Sequence, residues 1–364
     1  MRHVKRGHAL IDCILVVGCV SVLAGLAMPV LLQMRASSRL DTCQIKIRRI
    51  CLAAHNFHDS SGRLPPATLG YRQQVDHEQW VSDDSEQSWK RMQNSSSLLL
   101  MTPYMNLRNI FDSVDRIAVN LESSLHEYNE EQSGDFSWQG KITGMDVILP
   151  IMGSDVEELN RFLCPADDLP DHQDIQTIIA TQATTVFEKS RMESNDQCLD
   201  IAVQYWPNED DTLFPTNYLA VTGATGSTWG DDIELNRWQG AMTFRNRNRL
   251  QDLRDGTSRT LMYGESLGEI FNGQRNSAMS WMWGGAGRIT GNQPFELDAD
   301  FDAEETPLFG TAETSSGVGF GSKHDGTVVF ALCDGSVRNI SNTIDRTTLL
   351  QLAGTSDGGV PQGF

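Results

Sequence analysis

The chain has 364 residues, 39% of them apolar, which is enough for one large domain or two ordinary ones with a real core. Its formal charge of −19 is unevenly held: residues 1–66 carry nine Lys/Arg against three Asp/Glu, and the rest twenty against forty-five, a basic stem on an acidic body. That acidity argues against nucleic acid as a partner, because phosphate binding needs clustered Lys/Arg, and seven cysteines at this length do not make a disulfide framework.

From Ile14 to Leu32 there are nineteen residues without charge, about the length a helix needs to cross a ~30 Å hydrocarbon core. A secretory signal would have a shorter apolar core and a small-residue cleavage site directly after it, whereas here the run continues into Gln33-Met34-Arg35. A basic leader (Arg2, Lys5, Arg6), a glycine and one acid at the start of the run surround it. Lys5-Arg6-Gly7 followed by His8-Ala9-Leu10-Ile11-Asp12 resembles the amino terminus of type IV prepilins and type II secretion pseudopilins, and Pro29 falls where many pilin helices carry a kinking proline. The resemblance implies that a prepilin peptidase cuts between Gly7 and His8, and that Asp12 neutralises the new amino terminus of a neighbouring pilin-like subunit. It also implies a single-pass protein of the bacterial inner (cytoplasmic) membrane, with its leader cytoplasmic and its body outside. His8 replaces an apolar aromatic of the usual pattern, and Asp12 is one methylene shorter than glutamate.

Beyond Met34 the helical pattern continues. Leu40, Cys43, Ile47, Ile50, Ala54 and Phe57 recur at spacings of three and four, one apolar stripe on a polar helix. A helix from His8 to about Asp59 is expected, stopped by Ser60-Ser61-Gly62 and Leu64-Pro65-Pro66. Residues 67–150 read as an acid-rich surface insertion, with Ser97–Met101 and Met105–Ile110 as short helical pieces on the stem. From Arg161 the pattern turns β-like. Arg161 to Asp167 reads as a strand end and turn, Thr216–Val221 and Thr260–Tyr263 as strands, and Ile344–Ala353 as a short amphipathic helix. Asp334-Gly335 between two β-rich runs predicts a hairpin with a two-residue type I′ turn.

Several ordered motifs resemble a large bacterial family of prepilin-like proteins, the domain of unknown function 1559 family. They are His55-Asn56-Phe57-His58-Asp59, Cys164-Pro165-Ala166-Asp167, Asp255-Gly256-Thr257-Ser258, Gly264-Glu265, and His324 followed after nine residues by Asp334-Gly335. The resemblance implies architecture and location rather than a reaction. A Cys43–Cys164 disulfide is expected, since both cysteines fall in recognisable motifs. The expected fold is α+β: a long N-terminal transmembrane helix continuing as a pilin-like stem, packed against a largely antiparallel β-sheet head. The expected organisation is a leader (1–7), a membrane half (8–34) and an extramembrane half (35–60) of the helix, the insertion (61–150), the head (151–343), and a C-terminal helix and tail (344–364).

Candidate chemistry has plainer readings beside it. His324 and Asp334 sit at opposite ends of one predicted strand, too far apart to pair directly, so Asp334 is read as a turn residue and His324 as bonding a loop at the sheet end. Gly264-Glu265-Ser266-Leu267-Gly268 matches G-x-S-x-G, with Asp300 and His324 in hydrolase order, but no helix pattern follows the serine as a nucleophile elbow requires. Asp298, Asp300 and Asp302 have calcium-loop spacing, yet Ala303 and Phe309 stand where glycine and a bidentate glutamate belong. That leaves room for a looser calcium site, with a solvated acidic loop as the plainer reading. Trp281 to Gly285 offers either a sugar platform or core, and His55 with His58 either a shared metal or capping and packing. No cofactor, metal-ligand set or catalytic residue is expected. The sequence favours a non-enzymatic structural or adaptor protein over a tethered glycan- or cation-binding module, with an anchored hydrolase third.

Overall fold

The computed structural model describes residues 5–69, 95–113, 157–167, 176–186, 198–206, 215–224, 227–229, 237–243, 248–280, 286–289, 308–359 and 361. The first helix, α1 (Lys5–Ser61), is one unbroken element running through Pro29, about 85 Å long at 1.5 Å per residue. Its halves differ in surroundings. Residues 13–39 are exposed around the whole circumference, with Ile14, Leu23 and Leu26 each more than 60% open, and this is the one helix among the described residues long and apolar enough to cross a membrane. From Cys43 onward a single stripe closes: Cys43, Ile47, Ile50, Cys51, Ala53, Ala54 and Phe57 are buried. Gly62 ends the helix in the left-handed region (φ +72°), its N–H donating to His58 O at 2.8 Å, as expected where a side chain would oppose a positive φ.

Short elements then pack on the stem. They are α2 (Ser97–Met101), capped by Ser96 Oγ accepting from Leu99 N–H at 3.2 Å, a 3₁₀ turn at Thr102–Met105, and α3 (Arg108–Ser113). The stretch before Cys164 departs from expectation: Glu157–Phe162 is a 3₁₀ helix and not a strand end. Phe162-Leu163 are two apolar residues in a row, which suits a strand, but Phe162 is drawn into the stem core and its carbonyl accepts from Asn217 N–H (2.8 Å) and the Thr216 hydroxyl (3.1 Å).

The strands are β1 (Gln176–Val186), β2 (Cys198–Trp206), β3 (Pro215–Thr216), β4 (Tyr218–Val221), β5 (Ser227–Trp229), β6 (Leu261–Glu265), β7 (Glu269–Phe271), β8 (Gln274–Ser280), β9 (Ala286–Gly287), β10 (Thr327–Leu332) and β11 (Val337–Ser341), followed by α4 (Arg346–Ala353). The expected strand at 216–221 is thus split at Asn217. One sheet has the order β2-β1-β8-β3, with β5 on β1 and β7 on β8; the other runs β11-β10-β6-β4-β9. Pairing is mainly antiparallel, the parallel pairs being β1·β5, β1·β8 and β4·β9. The structure is therefore α+β, with a long apolar N-terminal helix.

The second sheet is covered on both faces. Tyr218, Ala220, Val329 and Ala331 face α1, while Leu219, Val221, Val328, Phe330 and Leu332 face α4 with Leu349 and Leu352, the alternation a pleat imposes. Strand β6 breaks that parity. Its pairing with β10 slips between Tyr263 and Leu261, so Leu261 faces α4 but Met262 and Tyr263 both belong to the stem side. Gly264 then points to Phe320 and Phe330, where a Cβ would come within 2.6 Å of ring carbons, and Glu265 returns to the stem side.

The β10–β11 hairpin also differs from the expected type I′ turn, which needs positive φ at two residues. Here Gly335 (φ +87°) is left-handed and Asp334 is not. Gly335 N–H donates to Leu332 O (3.0 Å), and Asp334 Oδ1 accepts from Ser336 N–H (2.8 Å). The acid's side chain stabilises a turn through Cys333 and Asp334 that leads into a bulged glycine.

Candidate functional site

At the N-terminal end of the buried stripe, Cys43 of α1 is joined to Cys164 by a disulfide, with Cα atoms 5.4 Å apart. His324, in the turn before β10, places Nε2 3.3 Å from Cys164 Sγ and 3.6 Å from Glu265 Oε1. Glu265 is 1% exposed. Its Oε2 accepts from Val329 N–H at 3.1 Å, whereas Oε1 is buried without a hydrogen-bond donor. The donor atoms of Cys43, Cys164, Glu265 and His324 all lie within 4.8 Å of one another.

A second layer fixes the Cys164 loop. Asn217, at the break between β3 and β4, accepts from Cys164 N–H at 2.8 Å and donates to Asp167 Oδ2 at 2.6 Å and to Ser266 O at 3.2 Å. Asp167 is also paired with Arg275 of β8 and, at 3.1 Å, with Lys323 beside His324. A buried carboxylate needs such partners to remain charged. The motif Cys-Pro-Ala-Asp is therefore one fastening: the cysteine to the stem, the aspartate to the head, with Pro165 in the turn between.

The H-x9-DG spacing also acquires a geometric meaning. Its histidine meets the Cys164 sulfur of the disulfide that is fastened to α1 at Cys43, while a Cβ on Gly335 would lie 3.9 Å from His55 Nε2. Twelve helical residues separate Cys43 from His55, about 18 Å, which is the span that β10 and its two end turns cover. His324 and Asp334 lie at opposite ends of β10 and do not pair. Asp255 with Gly256, Thr257 and Ser258 lies elsewhere, holding the C-terminal tail: its carboxylate accepts from Asp357 N–H (3.0 Å) and Gly358 N–H (3.1 Å).

Other sequence candidates do not join the cluster. Ser266 is fully buried, its hydroxyl donating to Gly319 O (3.0 Å), and strand β7 follows where a nucleophile elbow needs a helix. His55 faces Gly335 while His58 Nε2 faces Leu250 N–H at 3.5 Å, so the two do not converge on a metal. Cys51 and Cys333 are buried thiols; burial pushes the first up to about 12 and the second well above its usual range, as befits inert core residues. Gly7, His8 and Asp12 fall in the first turns of α1. The acidic stretches at 76–86 and 122–131, the Trp281–Gly285 segment and Asp298, Asp300 and Asp302 lie outside the described residues. A cleft of about 520 Å³ beside α1, lined by Lys46, Arg49, Tyr104 and Arg161 among others, carries cations. Two of them are already engaged with backbone carbonyls, Lys46 with Asn160 and Leu163 and Arg161 with Glu158 and Met105.

Asn217, Arg275 and Lys323 were not legible as site residues. An asparagine inside a predicted strand, where it is disfavoured, was the one available signal.

Fold and site together define an α+β protein whose sheet domain is pinned to an apolar N-terminal helix by a disulfide and a buried ionic network. The chain belongs to the family described as protein of unknown function (DUF1559), whose model matches residues 33–347. No curated protein and no solved structure matches it.

Proposed function

We propose that this protein is a pilin-like, membrane-anchored envelope protein with a non-enzymatic structural or adaptor role in a secretion or surface assembly. The observation that carries the reading is α1 itself: one helix, apolar on all sides from Ile14 to Leu32 and open to residue 39, then the buried spine of the head from Cys43 to Phe57. A helix apolar all round belongs in lipid, and continuity of the same helix into a folded head is what a pilin subunit requires. In this reading Gly7 and His8 flank the site cut by a prepilin peptidase, Asp12 meets a neighbouring pilin-like subunit, the leader is cytoplasmic, and the head stands outside the inner membrane. An oxidising compartment is where a Cys43–Cys164 bond would persist.

Intact mass of the chain purified from native membranes tests the processing step: a mature chain beginning at His8 supports it, and one beginning at Met1 sinks it. Asp12→Ala should abolish cross-linking to pilin-like neighbours while leaving the head's thermal transition in place. Unchanged cross-linking would favour a tether that serves only to hold the head.

A further inference from the structure

The Cys43–Cys164 disulfide shares its closed space with two donors that a disulfide does not need, His324 Nε2 and Glu265 Oε1. Bond lengths of about 2.0–2.3 Å in tetrahedral zinc sites put neighbouring ligand atoms about 3.3–3.8 Å apart. The His324–Cys164 and His324–Glu265 separations, 3.3 and 3.6 Å, already fall in that range. Glu265 Oε1 is the independent sign. It belongs to a side chain 1% exposed, is aimed at the imidazole and lacks a hydrogen-bond donor, an arrangement that is costly unless something positive meets it. The hydroxyl of Tyr218, the cross-strand partner of Glu265, is itself buried without a partner and does not fill the gap.

We propose that Cys43, Cys164, Glu265 and His324 form a site for a borderline-soft divalent cation of the Zn²⁺ class, available when the Cys43–Cys164 bond is reduced and closed when it is made. Two thiolates, an imidazole and a carboxylate suit zinc; calcium and magnesium call for oxygen ligands alone. A dithiol reductant supplies two electrons and two protons to the S–S bond, leaving two thiols and becoming a disulfide itself. The cation then displaces both thiol protons to solvent and takes the sulfurs as thiolates. In the reverse direction the two thiolates give two electrons to a disulfide-class oxidant, which takes two protons from solvent and becomes two thiols as the cation leaves. Reduction leaves the supporting bonds in place: Cys164 and His324 are held by their backbone N–H groups, to Asn217 (2.8 Å) and Ser322 Oγ (3.0 Å), and the Glu265 carboxylate is held through Oε2 by Val329 N–H (3.1 Å), leaving Oε1 for the cation. The joint between stem and head thus has a covalent form and a metal-bound form. This inference stands whether or not the chain is processed as a prepilin.

Titration of the full-length chain in detergent micelles with Co²⁺, a spectroscopic substitute for Zn²⁺, tests it. The anaerobically reduced chain should bind one Co²⁺, with thiolate-to-cobalt charge-transfer bands and the intense visible bands of a tetrahedral ion, and Zn²⁺ should displace it. The oxidised chain should show neither. Glu265→Gln and His324→Ala retain every thiol and should each weaken binding at least tenfold. Should His324→Ala fail to fold, Glu265→Gln, which keeps the shape and an acceptor for Val329, carries the test alone. No binding by the reduced chain, equal binding by the oxidised chain, or variants with unchanged affinity and spectrum would each overturn the proposal; the last would put cobalt on the remaining cysteines, Cys13, Cys19, Cys51, Cys198 or Cys333.

Discussion

Asp167 is the residue on which the Cys164 loop depends. Its side chain is 1% exposed and meets Arg275, itself 6% exposed, together with Lys323 and Asn217. Asp167→Ala would leave the Arg275 guanidinium buried without its counter-charge, a loss of about 3–5 kcal/mol. Arg275→Ala should lose less, because Lys323 and Asn217 still serve the carboxylate. Urea denaturation of the two variants side by side would check that ranking, and equal losses would mean that Asp167 matters only through Arg275. Asp357 makes a different prediction. Burial pushes its carboxyl up to about 6, the Asp255 charge adding to this and the Gly359 N–H (2.6 Å) opposing it. The folded chain therefore holds that proton more tightly than the unfolded chain, so the stabilisation is full below the ordinary value near 3.8 and is lost as pH rises through about 6. Asp357→Asn should raise the thermal midpoint at pH 7 and leave it unchanged at pH 4. A difference of the same size at both values would place the effect elsewhere.

At the scale of elements, the disulfide closes a sequence separation of 121 residues between α1 and the head. In the chain-entropy account a loop of that length contributes about 5 kcal/mol. The metal-free Cys43→Ala, Cys164→Ala double variant should therefore unfold at clearly lower denaturant, while reductant should shift the wild type toward the variant and leave the variant where it is. The elements differ in how far the sequence revealed them. The stem stripe from Leu40 to Phe57 could be read because a 3.6-residue period is local, and it is the face that is buried. The side to which Glu265 points could not, since it depends on the slip between Leu261 and Tyr263, and counting by twos from Leu261 puts Glu265 on the α4 side. The approach of His324 to Cys164, 160 residues away, depends on how β10 lies along α1, and no local pattern encodes that. At Arg161 and Phe162 a 3₁₀ turn stands where a strand end is expected, because Phe162 answers to Asn217 and the stem rather than to a sheet.

For the whole molecule the question is where the anchor ends and the fold begins. Ile47, Ile50 and Phe57 are buried against the head, and at about 1.5–3 kcal/mol for each side chain they contribute roughly as much as the 5–15 kcal/mol by which a typical domain is stable. Lys46 adds bonds to the carbonyls of Asn160 and Leu163, and the disulfide begins at Cys43. Nothing comparable holds residues 13–36, whose side chains are exposed throughout. A chain beginning at residue 37 should then be soluble without detergent, its charge of −22 opposing association, and should unfold in one cooperative transition with Cys43 still bonded to Cys164. A chain beginning at Gly62 loses the spine and should aggregate or remain unfolded, with Cys164 free to react. Circular dichroism melting and thiol labelling of the two truncations separate the outcomes. If the chain from Gly62 folds as stably as the longer one, α1 is only a tether and the head does not need its stem.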